Sequence, residues 1–198
     1  MKRLLLACAM VLSASCSGPR TGDLLFVSAP AGADGMDGAI VAATGDIIHV
    51  AIVEKAPDGE LWVIDATPRR GVDRHPLDTL KADFPEAEGY GYLFARPDEP
   101  SESYAAHARQ FIGQPYDQAF LPDNGAMYCS ELVRESFRRD DGSYLFDASP
   151  MNFRAADGSF PHWWVEHYTN LGMPIPQDTL GTNPQDMYAQ CRPLAGRR

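Results

Sequence analysis

Residues 46–53 read Asp-Ile-Ile-His-Val-Ala-Ile-Val, and no other run in the chain constrains the fold as much. Side chains alternate between the two faces of a strand. Ile47, His49, Ala51 and Val53 therefore share one face, and Ile48, Val50 and Ile52 share the other. Both faces are apolar, so the strand belongs in the middle of a sheet covered on both sides. His49 is the one polar group it takes inside, and a buried imidazole needs a hydrogen-bond partner. Asp65 supplies one. Residues 61–67 read as the next strand, residues 54–60 with Pro57-Asp58-Gly59 as the turn, and a pairing centred near residue 57 makes Asp65 a cross-strand or diagonal neighbour of His49.

Short runs at 22–28, 61–67 and 90–96 are rich in β-branched and aromatic residues and bounded by Gly, Pro and Asp, which predicts one mostly antiparallel sheet. The Gly- and Ala-rich stretch 29–45 has room for a short helix over 36–43. A helix is predicted over 101–112, opening at Ser101 and stopping at Gly113, and another over 129–139. On the latter, Cys129, Leu132, Val133, Ser136 and Phe137 fall on one face. Strands first and helices later give an α+β chain. Cys129 then stands at a helix N-terminus, where unpaired N–H groups and the helix dipole favour a thiolate over a thiol. The alternative is a small buried hydrophobe.

The length of 198 residues suits one domain. Lys and Arg number 17 against 27 Asp and Glu, a formal charge of −10, which leaves no electrostatic footprint for nucleic acid. Residues 1–15 read as an export signal: Lys2 and Arg3, an apolar run from Leu4, then Ser13, Ala14 and Ser15. The apolar run is too short to cross a bilayer. Ser-Ala-Ser before Cys16 resembles a bacterial lipobox, which makes Cys16 the lipidation site, 16–21 a tether and 22–198 the domain; cleavage with release is the alternative. Cys129 and Cys191 are then the two remaining thiols, which either pair or leave a catalytic Cys.

From about residue 144 the chain is an aromatic and Pro-rich extension, with a helix from Pro161 to residue 171 closed by Gly172. His162, Trp163, Trp164, His167 and Tyr168 either wall a substrate groove or form a satellite core. His162 and His167, five apart, do not share a helix face, so no metal pair is expected there. His75, beside Pro76, is expected in a solvated loop, and His107 on an exposed helix face. Phosphate-binding glycine loops are absent from the sequence.

Five segments, in order Gly22-Asp23, His49-Val50-Ala51-Ile52-Val53, Val63-Ile64-Asp65-Ala66, Gly113-Gln114-Pro115-Tyr116-Asp117 and Tyr128-Cys129-Ser130-Glu131-Leu132-Val133, resemble the YiiX-like family. These are circularly permuted relatives of the NlpC-type papain-fold cysteine hydrolases. The resemblance implies Cys129 as nucleophile, His49 as general base and acid, and an orienting residue at Asp65, a position the family usually fills with Glu. It requires no cofactor and no metal. Tyr116 and Tyr128 are the oxyanion candidates, beside the N–H of Cys129. The expected activity is that of an exported hydrolase of the bacterial cell envelope, held to a membrane through its N-terminal lipid. Its substrate would be a peptide or acyl amide such as a peptidoglycan stem peptide. A lipid acyl hydrolase or acyltransferase and a non-catalytic binding lipoprotein are the alternatives.

Overall fold

The computed structural model describes residues 18–194. The export signal expected over 1–15 and the lipidation site Cys16 lie outside the described residues. In chain order the elements are β1 (Leu24–Ser28), α1 (Gly35–Thr44), β2 (Ile47–Lys55), β3 (Leu61–Thr67), β4 (Gly71–Pro76), α2 (Leu77–Asp83), β5 (Gly91–Pro97), α3 (Ser103–Ala108), α4 (Cys129–Ser136), β6 (Ser149–Pro150), α5 (His162–Leu171), β7 (Leu180–Gly181), α6 (Pro184–Ala189) and β8 (Cys191–Pro193). Among the described residues, no helix is long and apolar enough to cross a membrane.

Six strands form one antiparallel sheet in the order β4-β3-β2-β1-β5-β8. β2 lies inside it and is buried from Ile47 to Glu54, as its two apolar faces require. On one side Phe26, Val50, Ile52 and Ile64 pack with Leu132, Val133 and Phe137 of the α4 segment and Met187 of α6. On the other, Leu25, Val27, Ala51, Val53 and Val63 pack against Leu80 of α2. Each large apolar side chain buried this way stabilises the fold by about 1.5–3 kcal/mol relative to exposure.

The C-terminal third is woven into this body. Met187 enters the main core, β8 pairs with β5, and Trp164 and Tyr168 of α5 join Phe120, Phe153 and Ala39 of α1 in a separate cluster. Trp164 Nε1 donates to the Ala39 carbonyl at 3.2 Å. The aromatic segment is thus a satellite core, and through Trp164 it also lines a cavity, so each of its two readings holds in part.

Three expectations are corrected. Residues 71–76 form a strand, not a solvated loop: β4 pairs with β3 along its length, and Val72 exchanges backbone bonds with Gln114 and Gly113, each at 2.9 Å. Its polar composition hides a strand held by backbone pairing. His75 on it is buried at 5% exposure. His107 is half-buried, with Nδ1 donating to the Ser136 carbonyl at 3.1 Å, because α3 packs against α4. Helix α4 ends at Ser136, short of the expected 139, where the Ser136 hydroxyl turns back to the Leu132 carbonyl at 2.6 Å and Phe137 leaves helical geometry to fill the core.

Candidate active site

Three pieces of backbone meet at one end of the sheet: the start of β2, the end of β3 and the start of α4. The ladder pairs Ile52 with Ile64 and Val53 with Val63, one residue further along than the centre expected from the turn. The shift preserves parity, so Asp65 still shares a face with His49 as a diagonal neighbour. His49 Nε2 donates to Asp65 Oδ2 at 2.8 Å, and Asp65 has no exposed surface. The one-methylene-shorter acid reaches the imidazole directly. The ring stacks on Phe84 with centroids 5.0 Å apart, which fixes its plane.

With Nε2 engaged, Nδ1 is the ring nitrogen left for the Cys129 sulfur, which lines the same cavity and interacts with the ring. Burial pulls the His49 pKa down. The charge on Cys129 and hydrogen bonds to Asp65 and Cys129 outweigh this and push it up to about 10. Burial likewise pushes Asp65 up, but hydrogen bonds from His49 and His75 hold its carboxyl well below the usual carboxylate range. The arrangement therefore favours an imidazolium on His49, backed by the Asp65 carboxylate. Cys129 and Cys191 are both free thiols, so the pairing alternative is closed. Burial, then Asp98 and Asp23, push the Cys191 thiol up to about 12.

Cys129 opens α4 as its first residue, so its N–H has no intrahelical acceptor. The two tyrosines differ. Tyr128 accepts a hydrogen bond from the Thr182 N–H at 3.1 Å and points its hydroxyl toward the Met151 sulfur at 3.8 Å, which ties it to the end of β7. Tyr116 is carried by a loop pinned beside α4: Met127 N–H donates to the Pro115 carbonyl at 3.0 Å and Asp117 N–H to the Met127 carbonyl at 3.1 Å. Asp117 in turn accepts from the N–H groups of Ala119 and Leu121 at 2.8 and 2.7 Å, which makes it loop chemistry. Both rings line the cavity with Cys129.

That cavity, about 280 Å³, is walled mainly by apolar side chains, among them Met36, Ile40, Phe84, Phe153 and Trp164. Thr67, Ser130 and Thr182 also line it, and among the described residues the hydroxyl of each is buried without a hydrogen-bond partner. Among the described residues no group of three or more His, Cys, Asp or Glu side chains is set to hold a metal ion. Sequence reasoning missed one member of the cluster, His75, whose Nε2 lies 3.0 Å from Asp65 Oδ1. The signal for it was Gly71 after Thr-Pro-Arg-Arg, a turn that folds the chain back on β3.

Comparison with known proteins fits this geometry. Residues 18–192 match the family described as permuted papain-like amidase enzyme, YaeF/YiiX, C92 family. The chain belongs to this family. It is accordingly a papain-like cysteine hydrolase of the amidase type, with the permuted α+β fold that the segment order implied. A crystal structure described as the metalloprotein yiiX from Escherichia coli O157:H7 superimposes with a TM-score of 0.70 at 23% identity, covering 90% of this chain and 98% of that one. At that identity the likeness speaks for the fold. No curated protein matches this chain in sequence.

Proposed function

We propose that the chain hydrolyses an amide bond through an acyl-thioester on Cys129, with His49 as general base and acid and Asp65 as the residue that orients it. The observation that carries this is the Asp65–His49 hydrogen bond set beside Cys129, with His49 and Cys129 lining one apolar cavity. The thiolate attacks the carbonyl carbon and a C–S bond forms. The resulting oxyanion is met by the Cys129 N–H and the Tyr116 hydroxyl; Tyr128, whose oxygen accepts from Thr182 and whose O–H is directed at the Met151 sulfur, supports the wall. His49 gives its proton to the leaving nitrogen as the C–N bond breaks. Water, deprotonated by His49, then attacks the thioester, and cleavage of the C–S bond releases the acid and restores the thiolate.

In its finer form the reading is of an exported lipoprotein, anchored through Cys16, that cleaves peptidoglycan stem peptides. The sequence before Cys16 and the amidase family support it. A second reading, a lipid acyl hydrolase or acyltransferase, is favoured by the apolar cavity wall, which suits a hydrocarbon chain better than a peptide rich in charge. The test is product analysis with stem peptides and with phospholipid vesicles in parallel, using wild type and Cys129→Ala. Cys129-dependent release of amines from stem peptides supports the first reading; fatty-acid release with peptides intact supports the second. Equal iodoacetamide reactivity of Cys129 and Cys191 at pH 6 would overturn the nucleophile in both. Cys16→Ser should abolish membrane fractionation, and identical fractionation would remove the anchor.

A further inference from the structure

Asp65 is buried with both oxygens occupied, and only one of them serves His49. The other, Oδ1, accepts from His75 Nε2 at 3.0 Å. The β3–β4 ladder pairs Asp65 with Asp73 and Val63 with His75, so His75 reaches Asp65 diagonally from one neighbouring strand as His49 does from the other. The Nδ1 of His75 lies 3.2 Å from the Pro76 carbonyl oxygen. A carboxylate and a carbonyl only accept, so both ring nitrogens of His75 carry hydrogen and the ring is an imidazolium. Arg70 Nη2 lies 3.3 Å from the same Nε2, which can donate to Asp65 or accept from Arg70 but not both; the buried carboxylate at the shorter distance takes the donor. Its guanidinium is held by Asp83 at the end of α2 and lies 4.0 Å from Asp73. His75 does not line the cavity.

We infer that His75 is a positioning residue for the reaction proposed above, on which the inference rests: it grips the Asp65 oxygen that His49 leaves free, and so locks the carboxylate that aims the His49 ring at Cys129. Without it, Asp65 Oδ1 would be buried with no donor, and the carboxylate would be free to rotate and easier to protonate. The charged groups facing the pair are His49 from β2, Arg70 and Asp73 around the start of β4, and Asp83 from α2, with Cys129 beyond His49. Loss of the His75 cation therefore raises the pH at which Asp65 takes up a proton, since burial opposes its charge and the two histidines sustain it.

The experiment follows the alkylation rate of Cys129 by iodoacetamide against pH, by mass spectrometry, with Cys191 in the same digest as internal control. It compares wild type, His75→Gln, His75→Leu, Asp65→Asn and the Asp65→Asn/His75→Gln double variant. His75→Gln keeps one N–H donor and loses the charge. It is expected to fold, to slow Cys129 about tenfold near neutral pH, and to move the acid limb of the profile up by about one pH unit. In the Asp65→Asn background the same substitution should add nothing further, because the two act as one unit. His75→Leu should shift the acid limb further; if it fails to fold, the His75→Gln profile decides. A His75→Gln variant with lowered thermal stability but wild-type rate and acid limb would mark a structural role and overturn the inference, as would full additivity with Asp65→Asn. Wild-type Cys129 no faster than Cys191 would instead sink the underlying cysteine reading, a result that no His75 variant produces.

Discussion

A carboxylate with no exposed surface keeps its charge only if both oxygens are bonded, and Asp65 does so with one histidine on each. Asp65→Asn replaces an acceptor with an amide that fits only one of the two N–H donors and no longer balances an imidazolium. Turnover is expected to fall about 100-fold or more, measured as kcat on the substrate that the product analysis identifies. The same residues set the pH dependence. With His49 as the proposed proton donor to the leaving group and its pKa pushed up to about 10, activity should hold through neutral pH and decline as pH rises through about 10. Its stabilising contribution carries the same sign: complete below the unfolded imidazole value of about 6.5, and lost as pH rises through about 10. Asp65, depressed in the folded protein, contributes stability above its unfolded value and loses it only as pH falls well below the usual carboxylate range. A pH series of kcat/KM and of melting temperature reads both limbs; an alkaline fall centred near 7 would contradict the imidazolium assignment.

At the scale of elements, the loop that carries Tyr116 is held from the side by the start of β4. Gly71 adopts φ of 68°, and a Cβ added there would lie 2.3 Å from the Gln114 carbonyl oxygen. The same carbonyl accepts from the Val72 N–H. Gly71→Ala must therefore strain the backbone and push the 113–116 loop away from β4 at once. The expected outcome is a stability loss of about 1–3 kcal/mol in chemical denaturation, together with a kcat reduced more than KM is raised. A Gly71→Ala variant of native stability and activity would show that the loop is positioned from elsewhere.

At the scale of the molecule, the separate aromatic cluster does not make a separable unit. Trp164 and Phe153 wall the cavity while packing against Phe120 and Tyr168, and Met187 and β8 complete the main core and sheet. Deleting residues 144–198 should therefore leave a chain without a cooperative thermal transition, because fully buried side chains such as Phe146, Tyr168 and Met187 go with it. A sharp calorimetric melt from residues 18–143 would show instead that this part folds alone.

Much of the site was legible in the chain because its signals are local. Alternation in residues 46–53 put β2 inside the sheet and made His49 a buried group in need of a partner. The short turn limited that partner to the next strand, where Asp65 is the acid, and a one-residue error in register left the pair on one face. Helical periodicity put Cys129 at the first turn of α4. The tertiary structure decided what depends on surfaces distant in sequence coming together. It turned a polar loop into β4 and so delivered His75 to the far side of Asp65, and it drew Met36, Phe84, Phe153 and Trp164 from four separate segments into one cavity wall. It also tied Tyr128 to Thr182 at the end of β7 and hung Tyr116 from a loop beside α4, with both in the wall of one cavity. The division has a physical cause: periodicity records which face of an element avoids water, whereas the partner of that face is selected by packing and backbone pairing across the whole chain.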